Sequence, residues 1–408
     1  MFSIEPLHGE RVVVNKSESS QTLPFTPLAI YIHWPFCASL CPYCDFNSHV
    51  AATIDHDEWA RAYISELRHW HAQVPARIIT SIFWGGGTPS LMAPKIVENV
   101  LEEIRNLWRI DDDCEITLEA NPGSVEARKL KDFARVGINR ISLGVQSMQD
   151  DALKFLGRRH SRDEALHALN IARGTFARVS ADFIYARAGQ TEQDWENELN
   201  EILNLNLDHL SLYQLTLEPG TPFYHRAQRG EQMTAAENAA AAMFEYTQAA
   251  CAATGLNAYE ISNHAHGGQE SRHNLAYWQY DDYLGIGPGA HGRVTLNGFK
   301  YATTTHRAPA IYLKKVFETG HALHAPKKVS AADMLQECLM MGLRLTVGIP
   351  KARIAYYAQQ DFNAVFPVNI LQPFFDEGLL WENDTDIGAT PVGAMKLNAL
   401  TKALIAKI

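Results

Sequence analysis

Only six cysteines occur in 408 residues. They are too few and too unevenly placed for a secreted disulfide framework, so reduced thiols are expected. No run of eighteen apolar residues occurs, which argues against a membrane-spanning helix and leaves peripheral contact as the available form of membrane association. The opening stretch, MFSIEPLHGERVVVNKSESSQ, has no apolar segment behind a basic start. A cytoplasmic location is the expectation that follows. Positive charge is short as well: 36 Lys and Arg face 46 Asp and Glu, for a net charge of -10. No basic footprint for a phosphate backbone results, and nucleic acid is not expected as a partner. There is no internal repeat and no low-complexity segment.

What is present is ordinary globular composition, with 46% hydrophobic and 20% charged residues, over a length that calls for more than one unit. A polar, Ser-rich lead-in runs over 1–24 and reads as flexible. Over 25–265, strand-like runs alternate with amphipathic helical ones: LAIYIHWPF, HDEWARAYISELRHW, IITSIFW, APKIVENVLEEIRNLW, CEITLEA, SVEARKLKDFARVG, and so on to HLSLYQLTL, an Ala-rich helix near 234–254, and AYEIS. Roughly six βα units predict an α/β fold with a parallel sheet, closed partly as a TIM-like (β/α)6 barrel. Residues 266–330 are Gly-rich and aromatic and read as a connector of loops and short strands. Residues 331–408 begin with the helical pattern AADMLQECLMMGLRL and predict a small α+β domain of winged-helix type.

Half of the cysteines lie close together. Cys37, Cys41 and Cys44 form C-x3-C-x2-C, which lets one loop present three thiolates to an inorganic cluster. A structural zinc site wants four ligands, and His33 or His49 could complete a zinc knuckle; three cysteines in a plain turn is the other bland alternative. Three thiolates on a [4Fe–4S] cluster leave one iron open to a non-protein ligand such as S-adenosylmethionine (SAM). Cys114, Cys251 and Cys338 stand alone and read as small buried hydrophobes.

The other unusual residues fall at or near strand ends, where a parallel βα sheet collects functional groups. GGGTPS over 85–90 offers flexible backbone and amide donors for a carboxylate. Glu119 suits a ribose hydroxyl or a protonated amine. Gln146 offers an amide, Arg158 a cation, and Asp182 a carboxylate in an otherwise apolar strand where an unpaired charge is costly.

With Tyr43 before its last cysteine, the motif resembles the radical SAM superfamily. YIHWPFC, CPYCDFNSH, GGGTPS, LEANP, RISLGVQS, LSLYQLTLEPGTPFY, YEISNHA and HNLAYW together resemble its HemN-like (coproporphyrinogen dehydrogenase-like) branch along nearly the whole chain, and within it the haem chaperones of the HemW group. The resemblance implies a [4Fe–4S] cluster on Cys37, Cys41 and Cys44. It implies a SAM site lined by Tyr31, Tyr43, Gly86, Gly87, Thr88, Glu119, Gln146, Arg158, Asp182 and Ile261. Where relatives read D-x-I-Y-G-x-P-G-Q-T, this chain has DFIYARAGQT, with Ala186 and Ala188 in place of Gly and Pro. Decarboxylating members carry a further cysteine two positions after the third; here it is Phe46. RHNLAYW resembles a haem-binding signature, in which His273 would ligate haem iron while Asn274, Tyr277 and Trp278 line the haem.

From the residues alone, a His in an aromatic loop is more often structural than a ligand. Two functions follow from the resemblance: a chaperone that passes haem to client haemoproteins, respiratory-chain proteins among them, or an oxygen-independent coproporphyrinogen III dehydrogenase. Phe46 and HNLAYW favour the first. A homodimer would suit a carrier, although no stretch of sequence argues for one.

Overall fold

The computed structural model describes residues 26–408; the lead-in expected over 1–24 lies outside them. Strands β1 (Thr26–Trp34), β2 (Arg77–Gly86), β3 (Arg109–Ala120), β4 (Arg140–Gln146), β5 (Arg178–Tyr185) and β6 (His209–Gln214) pair in parallel in chain order. Helices cross over between them, the longest at His56–Gln73 and Pro94–Leu107. Two begin with capping boxes, Ser161 with Glu164 and Thr191 with Asp194, each joining side chain and backbone reciprocally. Strands β1 and β6 do not pair with each other, so the sheet curves into an open barrel. This is the α/β partial barrel expected.

Alternation along the strands divides apolar from polar. Leu28, Ile30, Ile32 and Trp34 on β1, and Ile141, Leu143 and Val145 on β4, are fully buried beneath the helices. Their neighbours face inward and are mostly polar. Low in the barrel, Glu115 on β3 accepts from Arg178 at 2.6 Å and lies 3.8 Å from Arg140. One layer higher, Ser142 donates to Asp182 at 3.1 Å. A barrel with so many inward polar groups must pair them or hold a ligand.

Two regions differ from the sequence expectation. AYEIS does not form one strand: β7 (Asn257–Ala258) and β8 (Asn263–Ala265) run antiparallel around a turn, with β8 against β6. Glu260 shapes that turn, accepting from Ser262 N at 2.8 Å and Asn263 Nδ2 at 2.6 Å. RHNLAYW, expected in a loop, is the helix Arg272–Trp278. It is too short for periodicity to reveal, and long-range contacts hold it: Glu115 accepts the N–H groups of Arg272 and His273, each at 3.2 Å. Beyond it, β9 (Tyr283–Ile286) pairs in parallel with β1, and β10 (His291–Leu296) and β11 (Phe299–Thr304) extend the same sheet as a hairpin.

The C-terminal segment builds a separate core from Leu335, Leu339, Ile354, Phe366, Leu400 and Leu404. Helices surround a three-stranded antiparallel sheet of Ile349–Pro350, Asp386–Ala389 and Leu380–Glu382, the small α+β unit expected. Among the described residues no helix is long and apolar enough to cross a membrane.

Candidate functional site

The cysteine loop leaves the C-terminal end of β1 and is pinned at its base. Cys37 N donates to His49 O at 2.9 Å, and Gly87 N and Thr88 N donate to Trp34 O and Phe36 O at 2.7 and 2.8 Å. Glycine is required for that approach. A Cβ on Gly87 would lie 2.6 Å from Phe36 O, and one on Gly86, whose φ is +108°, would lie 2.5 Å from the His33 ring. The amides expected to receive a ligand carboxylate are therefore engaged: Gly87 and Thr88 serve the loop, and Gly86 N donates to Glu119 Oε2 at 3.3 Å. At these three positions the run supplies close approach of the two loops.

All three thiols have donors aimed at them, Cys44 from the backbone of Phe46. Thr88 Oγ1 donates to Cys37 Sγ at 3.4 Å and Arg158 Nη1 to Cys41 Sγ at 3.5 Å. Burial, with the neighbouring Cys41 and Cys37 adding to it, pushes the Cys44 thiol up to about 11. Sequence reasoning missed Asn121, which ties the set together: its Nδ2 donates to Thr88 Oγ1 at 3.2 Å and its Oδ1 accepts from Arg158 Nη2. Tyr43 packs against Phe223 at 6.3 Å, and burial raises its phenol pKa. The solitary Cys114, Cys251 and Cys338 are buried, and burial pushes each thiol up to about 12.

The loop opens onto a chamber of about 1480 Å³. Cys37, Cys41, Tyr43, Cys44, Gly86, Gly87, Thr88, Glu119, Gln146, Arg158, Asp182 and Ile261 all border it, so folding brings twelve of the residues singled out in the sequence to one place. Glu119 and Asp182 are its most unusual feature. Neither makes an ion pair among the described residues, and burial, then the charge of Asp182, pushes Glu119 up to about 8. Burial raises Asp182 too, against hydrogen bonds from Ser211 and Ser142. Ser142 and Ser211 were legible as inward positions of RISLGVQ and HLSLYQ by strand alternation. Gln146 sits at the end of β4 with φ of 72°, a left-handed conformation that costs a non-glycine residue energy and turns the chain at the chamber wall.

Tyr31 does not border the chamber. It lies beneath, with its hydroxyl 3.0 Å from His33 Nδ1 and its ring stacked on Phe83 at 6.3 Å. His273 is deeper still, only 1% exposed. Its Nδ1 pairs with Ser81 Oγ at 2.9 Å, its Nε2 with Tyr277 Oη at 2.8 Å, and its ring stacks on Phe83 at 5.0 Å. Burial lowers its pKa to about 3. Tyr277 also packs against Tyr283 at 4.5 Å, Asn274 stands beside the Tyr259 hydroxyl, and Trp278 lies under the Arg344 guanidinium at 4.4 Å. These four residues form a block beneath and beside the chamber.

The site fits a cationic ligand beside a metal cluster. Three thiols face a space edged by two carboxylates without cationic partners, an arrangement stabilised by a positive group between them. Residues 31–202 match the Radical SAM superfamily and residues 329–395 the HemN C-terminal domain. The chain is 36% identical to the heme chaperone HemW of Escherichia coli (strain K12) over 93% of this chain and 99% of that one. It is 32% identical to the heme chaperone HemW of Bacillus subtilis (strain 168), again over 93% and 99%. It is also 36% identical to the mitochondrial radical S-adenosyl methionine domain-containing protein 1 of Bos taurus over 93% of this chain and 88% of that one. In overall fold it is similar to the coproporphyrinogen III oxidase HemN of Escherichia coli, with a TM-score of 0.79 at 22% identity, covering 95% of this chain and 92% of that one. The chain belongs to the radical SAM superfamily, in the HemN-like branch that includes the HemW group.

Proposed function

We propose that the protein is a haem chaperone: it binds a [4Fe–4S] cluster, SAM and haem, and passes haem to client haemoproteins. Membership of the superfamily implies the cluster and SAM. When bound, such a cluster supplies one-electron chemistry at an open iron. Cys37, Cys41 and Cys44 would hold it, with Thr88 and Arg158 as the donors beside its thiolates. Glu119 and Asp182 would receive the cationic and hydroxyl groups of SAM, Gln146 would add amide contacts, and Tyr43, Gly86, Gly87 and Ile261 would shape the surface around it. Tyr31 would act from beneath through Phe83 and Gly85.

The observation that carries the chaperone reading over the decarboxylase reading is the cysteine loop itself. Phe46 stands where decarboxylating members have a further cysteine, and its ring is 59% exposed. The two bacterial relatives compared above at 32% and 36% identity are named haem chaperones, whereas HemN is similar at 22% identity only. For His273 to ligate iron, the helix Arg272–Trp278 would have to leave the barrel and give up Ser81, Tyr277 and the Glu115 anchor. The test is an anaerobic haem titration of the cluster-reconstituted protein, followed by its Soret band through gel filtration and then by transfer to an apo-haemoprotein. Stoichiometric retention and transfer is expected. Absence of retained haem, with turnover of coproporphyrinogen III, would overturn the proposal.

A further inference from the structure

The chamber is larger than a pocket for one small ligand. Pockets that enclose one drug-sized ligand run to roughly 300–1,000 Å³, and this one has about 1480 Å³. Its lining is mixed in chemistry. The cysteine loop, Glu119 and Asp182 border it, with Tyr213 of β6 near Asp182, and so do apolar side chains: Phe244 from the helix Glu237–Ala253, and Met395 and Leu397 from the C-terminal domain. Tyr213 and Met395 are each 41% exposed, so part of each side chain is open to a ligand.

The same C-terminal wall carries two cations. Arg344 meets Glu260, whose carboxylate is fully buried, through Nε at 3.1 Å and Nη2 at 2.7 Å. This side-on pairing leaves Nη1 without a hydrogen bond among the described residues, on a side chain that borders the chamber. Lys396 also borders it, is exposed, and forms no ion pair among the described residues. An apolar surface edged by a lysine with no ion pair and by an arginine N–H left over from its pairing with Glu260 suits a flat, greasy ligand that carries two carboxylates.

We propose that this part of the chamber seats the face of a tetrapyrrole, and that Arg344 Nη1 and Lys396 receive its two propionates. The proposal rests on the haem reading above and gives the C-terminal domain a role in cargo recognition. Arg344 also lies on Trp278 and holds the turn at Glu260, so a propionate on Nη1 bears directly on the helix Arg272–Trp278.

The experiment compares haem with its dimethyl ester, which keeps the ring and iron but has no propionate charge. Both are titrated into the full-length, cluster-reconstituted protein with SAM, read at the Soret band, using the wild type, Lys396→Ala, Lys396→Arg and Arg344→Lys. Arg344→Lys keeps a cation on Glu260, where Arg344→Ala would leave a buried charge unpaired. The wild type should prefer haem by about tenfold or more, the scale of one charge-assisted hydrogen bond. Lys396→Ala and Arg344→Lys should each lose about tenfold for haem and little for the ester. Lys396→Arg should restore the preference, and SAM affinity should not change in any variant. Equal affinity for both pigments in the wild type, or a preference untouched in both weakened variants, overturns the assignment of propionates to this wall. Binding of neither pigment by a protein that still binds SAM removes the haem reading, and this inference with it.

Discussion

Glu115 and Glu119 lie on the same face of the same strand, four residues apart, and their surroundings could hardly differ more. Glu115, at the lower level, accepts from Arg178 and from the backbone of Arg272 and His273, with Arg140 beside it. These partners outweigh burial and hold its carboxyl below the usual range. Glu119, at the chamber, accepts one long bond from Gly86 and faces Asp182, and its carboxyl is pushed up to about 8. One carboxylate is satisfied by the protein; the other is left for something that is not protein. A buried carboxyl with cationic partners marks architecture, and one without them marks a binding site.

The largest effect expected tests the lower level. Glu115→Ala leaves Arg140 and Arg178 without their counter-charge and releases the start of the helix Arg272–Trp278. It should cost about 3–5 kcal/mol in urea denaturation. A variant within about 0.5 kcal/mol of wild type would erase the distinction drawn here.

His273 belongs with the lower level. His273→Ala removes a buried ring with both nitrogens paired and should cost about 2–3 kcal/mol. In the folded variant the haem stoichiometry should be unchanged. A folded variant that retains no haem would move His273 into the binding site and show that its helix opens.

Glu119→Gln should behave in the opposite sense, lowering SAM affinity by about tenfold, or about 1.4 kcal/mol, without destabilising the ligand-free protein. The sign with pH follows from linkage. The folded state keeps the Glu119 proton up to about pH 8, whereas the unfolded chain loses it near its ordinary value. Between these, the folded state binds more protons, so stability falls as pH rises through the window and levels off above it. The wild type should show this decline relative to Glu119→Gln in denaturation midpoints between pH 5 and 8.5; parallel curves would mean that Glu119 is already paired.

The upper level was far more legible in the sequence than the lower. The cysteines, the glycine run, Glu119, Gln146, Arg158 and Asp182 stand out because reactive or unusual residues at strand ends have few structural reasons to be there. The barrel followed from strand and helix periods. What stayed hidden depends on contacts across the chain: the helix at Arg272–Trp278 exists because Glu115, more than 150 residues earlier, binds its first N–H groups. The placing of His273 inside the barrel follows from that helix. Arg344 and Lys396 carry no local signal at all, since only the docking of the C-terminal domain brings them to the chamber.

The smallest effects concern the loop after β5, where two alanines stand in different backbone settings. Ala186 has φ of 57°, a left-handed conformation in which a Cβ is strained and glycine is not. Its carbonyl accepts from Ala235 N at 2.8 Å, so the backbone is held there. Ala186→Gly should stabilise by about 0.5–1 kcal/mol, the strain relieved being partly offset by the added freedom of the unfolded chain. Two residues on, Ala188 N donates to Met233 O at 3.1 Å. Ala188→Pro removes that donor and should cost about 1 kcal/mol or more. Denaturation midpoints of the two variants should therefore move in opposite directions. If both moved up, proline at 188 would suit this loop better than the bond to Met233, and backbone strain would extend beyond Ala186.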